Sequence, residues 1–227
     1  PRYSWFWFWA AMAAGVLVKG PVLPVLAVLT VTALSLWHRD VGWLAGLRPV
    51  YGIGLVMMIC LPWAIMVSAA TGGAFLDLAF KGDFLAKVKS GQESHGVLPG
   101  AFLLLLPVLV WPGTPLLVTA VSGMRGLLTG PTTRFLLAWL IPFWVMLELV
   151  PTKLPHYILP VLPALCLILA GRVIAPIPPP LKQWRGWLVP AMRYLGVAVG
   201  FGFAGVAFWG AMLFGGADSR AAMLYAI

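Results

Sequence analysis

The run Val50-Tyr51-Gly52-Ile53-Gly54-Leu55-Val56-Met57-Met58-Ile59-Cys60-Leu61-Pro62-Trp63-Ala64-Ile65-Met66-Val67-Ser68-Ala69-Ala70-Thr71 holds not one charged side chain. A helix of about 20 residues crosses the roughly 30 Å hydrocarbon core of a bilayer. In lipid, every backbone N–H and C=O must find its partner within the segment, so a run of this length and polarity reads as a membrane-spanning helix. Comparable apolar runs lie at roughly 3–18, 21–37, 97–121, 133–150, 155–171 and 187–214, and the strict alternation of barrel strands is absent. The expected fold is all-α, a polytopic transmembrane helical bundle of about seven spans.

Composition agrees. Hydrophobic residues make up 62% of the chain and charged residues 9%, with a mean hydropathy of +0.98, which excludes an ordinary soluble globule. The net charge of +9 would point to nucleic acid in a soluble domain. Here the bases are spread over short loops between spans, so they report topology and contact with membrane lipids, not a nucleic-acid partner. If loops alternate sides, Arg39, Arg48, Arg125, Arg134, Arg172, Lys182 and Arg185 share one face, which the positive-inside rule makes cytoplasmic. Lys19, the polar segment 72–96 and Lys153 then share the external face. Cys60 and Cys166 both sit inside apolar runs with no metal or disulfide spacing and read as apolar filler.

Segment 72–96 repeats Leu76, Phe80, Phe84 and Val88 at every fourth position, with acid-then-base pairs Asp77/Lys81 and Asp83/Lys87 at the same spacing. The pattern predicts an external amphipathic helix lying in the interface, with Gly82 weakening it. Pro176-Ile177-Pro178-Pro179-Pro180 makes 172–186 a stiff cytoplasmic connector. Gly196 and Gly200 have GxxxG spacing, which predicts close helix packing within the chain or against a partner. No internal repeat is evident, which disfavours inverted-repeat transporters.

The ionisable residues that interrupt this apolar chain are the candidates for chemistry. In Lys153-Leu154-Pro155-His156-Tyr157-Ile158-Leu159-Pro160, Lys153 and Tyr157 are four apart, about one turn from each other if a helix begins near Pro155. Such a pair could hold a phosphate by charge and hydrogen bond. On spacing alone, a snorkelling lysine beside an interfacial tyrosine, both ordinary at helix ends, is the simpler reading. Lys19-Gly20-Pro21 sets a second cation at a tight turn, either beside a ligand or as a plain anchor. Glu148, near the outer end of a span, is a functional carboxylate or the neutralising partner of Lys153. His95 could ligate a metal, but no second histidine at ligand spacing accompanies it. Nucleophile triads, phosphate loops and CxxC motifs are absent.

Taken in order, these elements resemble the GT-C membrane glycosyltransferases, in particular the bacterial transferases similar to the aminoarabinose transferase of lipid A and the wider protein O-mannosyltransferase superfamily. The resemblance rests on Gly15-Val16-Leu17-Val18-Lys19-Gly20-Pro21, on Ser94-His95-Gly96 through Pro99, and above all on Lys153 through Ala164, which follows a K-x-x-x-Y-x-x-P-x-x-P pattern. It implies an inverting transferase in a bacterial inner membrane, multi-pass, that moves a sugar from a polyprenyl-phosphate carrier to a lipid or protein acceptor at the periplasmic or external face. Lipid A modification and protein O-glycosylation are the activities of that kind. By matching position, Lys153 and Tyr157 would contact the carrier phosphate, with Lys19 a further cation and Glu148 and His156 in support. His95 would match a histidine that can share one divalent metal ion with an acid. The catalytic aspartate would precede Pro1, so the expectation is the C-terminal portion of a larger transmembrane domain, inactive by itself. Two other functions fit a polytopic chain: a transporter or flippase of a lipid-linked anion, which wants polar residues at mid-membrane depth, and a non-catalytic subunit that docks through the GxxxG helix.

Overall fold

The structure is a computed structural model and describes residues 3–77, 99–117, 130–174 and 182–214. Among these, every regular element is a helix. They are α1 (Ser4–Lys19), α2 (Val22–His38), α3 (Pro49–Ala70), the single turn α4 (Ala74–Asp77), α5 (Ala101–Leu109), α6 (Pro131–Leu149), α7 (Leu162–Ile174) and α8 (Lys182–Phe214), with 3-10 turns at Gly42–Leu47 and Pro155–Val161. Three stretches, Pro49–Ala70, Pro131–Leu149 and Trp187–Leu213, are long and apolar enough to cross a membrane. Val22–His38 and 155–171 are apolar but shorter.

The apolar run at 97–121 does not form one span. Its described part is helical over Ala101–Leu109 and again at 116–117, and the helix breaks between them because Pro112 and Pro115 lack the N–H groups a continuing helix needs. The chain instead closes by short bonds, Trp111 N–H to Val108 O at 3.2 Å and Gly113 N–H to Val110 O at 2.7 Å. Residues 78–98, most of the expected interfacial helix, and the proline run at 176–180 lie outside the described residues.

The chain divides into two compact units. The first comprises residues 1–102 and 130–165. In it α1 and α2 form a hairpin, α3 packs on α1, and α6 packs on α2. Met12, Ala13, Leu26, Leu136, Leu137, Phe143, Ile158 and Val161 are buried between them. α3 turns nearly all of its length outward, with only Gly52 buried. Gly52 is where α1 closes on α3: a methyl there would land on the Trp9 indole, whose Nε1–H donates to Leu47 O at 2.7 Å. The second unit comprises residues 103–129 and 166–227. There the Trp111 indole lies over Gly200 and donates to Gly196 O at 2.9 Å. The GxxxG pair is thus a seat for an aromatic side chain of the same chain. Both cysteines are free.

The antiparallel path of α1 and α2 gives the first unit two distinct ends. The start of α1, the end of α2 and the start of α3 meet at one, where Arg48 stacks on Trp5 at 5.6 Å and Arg134 on Trp37 at 6.0 Å. Lys19, Gly20 and Pro21 lie at the other, together with the end of α6 and the turn that follows it.

Gly52→Ala should therefore destabilise the protein by about 1–3 kcal/mol, since the rigid indole cannot move aside. Gly54→Ala, with open space around it, should be neutral or stabilising by up to ~1 kcal/mol through helix propensity. Thermal unfolding of the two variants in detergent checks the contrast.

Candidate functional site

Proline dictates the backbone around Lys153. Pro151 biases Val150 away from helical angles, and Val150 is extended (φ −72°, ψ 128°), ending α6. Pro155 does the same to Leu154 (φ −109°, ψ 138°). The Pro155–Val161 segment then winds as a 3-10 helix, since Pro160 has no N–H to give an α-helical ladder. Three residues per turn put Ile158 and Val161 on one fully buried edge and leave His156 and Leu159 exposed. Tyr157 lies half-buried between these edges. On the next turn Pro160 O accepts the Trp139 indole N–H at 3.0 Å, fixing the segment to α6.

Lys153 is buried, at 8% exposure, and its Nζ donates to Val150 O at 2.8 Å. The ammonium thus closes the turn onto the carbonyl end of α6, where a cation is favoured by the helix dipole. Its neighbour Thr152 is buried as well, at 1% exposure. Lys19 reaches the same end from the α1–α2 hairpin. Its Nζ stands 5.7 Å from the centre of the Tyr157 ring, within cation–π range. The turn that aims it requires glycine: Gly20 has φ 61° and ψ −132°, a region closed to L side chains, while its N–H still bonds Val16 O at 2.9 Å. His156 packs edge-on against Tyr157 at 4.8 Å.

Glu148 acts on a third element. Its Oε2 accepts the Gly100 N–H at 2.8 Å, the residue before α5. A carboxylate at the positive end of a helix satisfies an orphan donor and the dipole together. That link was not legible in sequence, where Gly100 and Glu148 are 48 residues apart. The pairing expected from i, i+4 spacing is also replaced. Lys153 precedes the 3-10 segment, with the extended Leu154 between them, so helical stacking does not relate it to Tyr157, and the cation over the Tyr157 ring is Lys19. Lys19, Lys153, Tyr157, His156 and Glu148 are nevertheless gathered at one end of the first unit. His95 lies outside the described residues. Among the described residues no group of three or more His, Cys, Asp or Glu side chains could hold a metal ion.

An undecaprenyl phosphate-α-4-amino-4-deoxy-L-arabinose arabinosyl transferase of Pseudomonas paraeruginosa is 27% identical over 176 residues, covering 75% of this chain and 31% of the relative. The protein of the same name from Shewanella sediminis is 28% identical over 172 residues, covering 72% and 30%. The chain is similar to the aminoarabinose arabinosyl transferases. This bears out the resemblance carried by the Lys153–Ala164 run. The chain spans about a third of the length of the arabinosyl transferases it matches. No protein-family model and no solved structure matches it.

The Glu148 link makes a prediction separable from catalysis. Glu148→Ala should speed hydrogen exchange at the start of α5, as loss of a cap worth about 0.5–2 kcal/mol, whereas Glu148→Gln keeps an acceptor and should exchange near the wild-type rate. Mass spectrometry of peptides covering 99–105 reads both.

Proposed function

We propose that this chain is the donor-phosphate portion of a multi-pass membrane glycosyltransferase of the GT-C kind. It takes a sugar, a pentose of the arabinosyl type, from an undecaprenyl-phosphate carrier and serves a lipid acceptor such as lipid A at the external face of the inner membrane. The observation that carries the reading is the meeting of Lys19 with Tyr157 at 5.7 Å, beside the turn held by Lys153, in a chain similar to transferases named for this donor.

The chemistry needs this charge distribution. When the acceptor hydroxyl attacks the sugar's anomeric carbon, the bond from that carbon to the phosphate oxygen breaks, and the phosphodiester leaves as a monoester carrying one more negative charge. Cations preorganised at that oxygen stabilise the developing charge more than the ground state, which lowers the barrier. Lys19 is exposed and able to turn from the Tyr157 ring to a phosphate. The Tyr157 hydroxyl adds a hydrogen bond, and Lys153 supplies a fixed positive charge. The acceptor's proton goes to a carboxylate base. Asp40 and Glu148 are engaged otherwise, Asp40 accepting the Gly42 N–H and Glu148 the Gly100 N–H.

The test uses the intact protein with an undecaprenyl-phosphate-linked aminoarabinose donor. Losing one charge-assisted bond to the phosphate removes about 1.5–3 kcal/mol, so Lys19→Ala and Tyr157→Phe should each lower kcat/KM about 10- to 100-fold with thermal stability retained. Lys153→Ala should lower both turnover and stability, since it also opens the turn. Unchanged turnover in Lys19→Ala and Tyr157→Phe contradicts the assigned roles.

A further inference from the structure

The opposite end of the first unit has no part in the proposed reaction, yet it is the more highly charged. α2 ends at Arg39 and the Gly42–Leu47 turn ends at Arg48, and both arginines have left-handed backbone, with φ of 52° and 48°. An L side chain in that conformation crowds the following carbonyl, which is why helix ends of this form usually carry glycine. Two arginines at two such positions in one short loop are therefore held against local backbone preference, and an observed departure of this kind points to function. Both are exposed. Among the described residues neither guanidinium has a carboxylate partner. Arg48 lies over the Trp5 ring at 5.6 Å. A third guanidinium, that of Arg134 at the start of α6, lies over Trp37 at 6.0 Å at this same end. The carboxylate of the loop, Asp40, is turned to the Gly42 N–H at 2.8 Å.

The side chains between the arginines are apolar and uncovered: Val41 is 63% and Trp43 37% exposed. Beyond them the surface continues into Val50 and Tyr51 on the outward face of α3, a helix of membrane-spanning length in which only Gly52 is buried. A free anion would be served by the cations alone. Cations alternating with exposed Trp and Val, continuous with a hydrocarbon-facing helix, suit a ligand that is charged at one end and apolar at the other.

We propose that Arg39 and Arg48, with Val41 and Trp43 between them, bind an anionic membrane phospholipid, the phosphate held by the guanidinium groups and the first acyl carbons against the valine and indole. Arginine suits the task because its planar fork meets phosphate oxygens two at a time while its flat face rests on tryptophan. The site is separate from the Lys19–Tyr157 end and does not depend on the sugar-transfer reading.

The test compares the intact protein in zwitterionic detergent micelles containing phosphatidylglycerol, phosphatidylcholine or no lipid, with soluble glycerol phosphate as a further arm, by thermal unfolding and by native mass spectrometry of retained lipid. Wild type should be stabilised by phosphatidylglycerol and retain it, with no comparable response to phosphatidylcholine or glycerol phosphate. Arg39→Gly combined with Arg48→Gly removes both charges while supplying the residue that the backbone favours, so its unfolding midpoint without lipid should equal or exceed wild type. Its apparent affinity for phosphatidylglycerol should fall about 30-fold, or roughly five-fold for each arginine near a charged membrane surface. Unchanged phosphatidylglycerol binding in the double variant overturns the proposal, as does an equal wild-type response to phosphatidylcholine or to glycerol phosphate.

Discussion

A backbone carbonyl left without a donor in an apolar medium is the constraint from which most of this structure follows. The chain carries 20 prolines, each lacking the N–H that would serve a carbonyl one turn earlier, and few polar side chains to repair the loss. The repairs are made by whatever donor is at hand. Trp139 serves Pro160 O, Trp9 serves Leu47 O, Thr114 serves Pro107 O at 2.7 Å, and Lys153 serves Val150 O. Indole, hydroxyl and ammonium groups thus do at helix ends what water does in a soluble protein. Lys153 is the case with the largest consequence, because its repair of the α6 end buries a positive charge beside an otherwise apolar turn.

The α1–α2 hairpin brings a second cation to that turn. Lys19 ends α1 and is swung by Gly20, in backbone that only glycine adopts, to the face where the 3-10 segment presents Tyr157. Glu148 ties the start of α5 to the same end. Cation, phenol and a second cation are thereby collected from elements far apart in sequence, on a bundle whose other end is basic for a different reason. The two ends are thus separate groups of charged side chains on one unit.

Much of this was legible in the sequence. The helical class followed from runs such as 50–71, and the gathering of Lys19 with Tyr157 followed from loop alternation and from the Lys153–Ala164 pattern. Two things were not. The span expected at 97–121 is interrupted after Leu109, because hydropathy is blind to the missing donors of Pro112 and Pro115, which matter only once the helix has to continue. The Lys153–Tyr157 pairing by helical spacing failed because Pro155 and Pro160 replace the α-turn with extended and 3-10 backbone, in which four-residue spacing has no special meaning. The Glu148 bond to Gly100 had no local signal at all, since it is made by tertiary packing.

The central claim is that the Lys19–Lys153–Tyr157 end recognises a phosphate and not merely a lipid tail. Equilibrium binding of undecaprenyl phosphate and of undecaprenol, which lacks the phosphate, to the intact protein separates the two. The account predicts at least about ten-fold tighter binding of the phosphate, one charge-assisted hydrogen bond's worth, and loss of that preference when Lys19 and Lys153 are both replaced by methionine. Equal binding of the two lipids by wild type, or a preference that survives the double replacement, would contradict it.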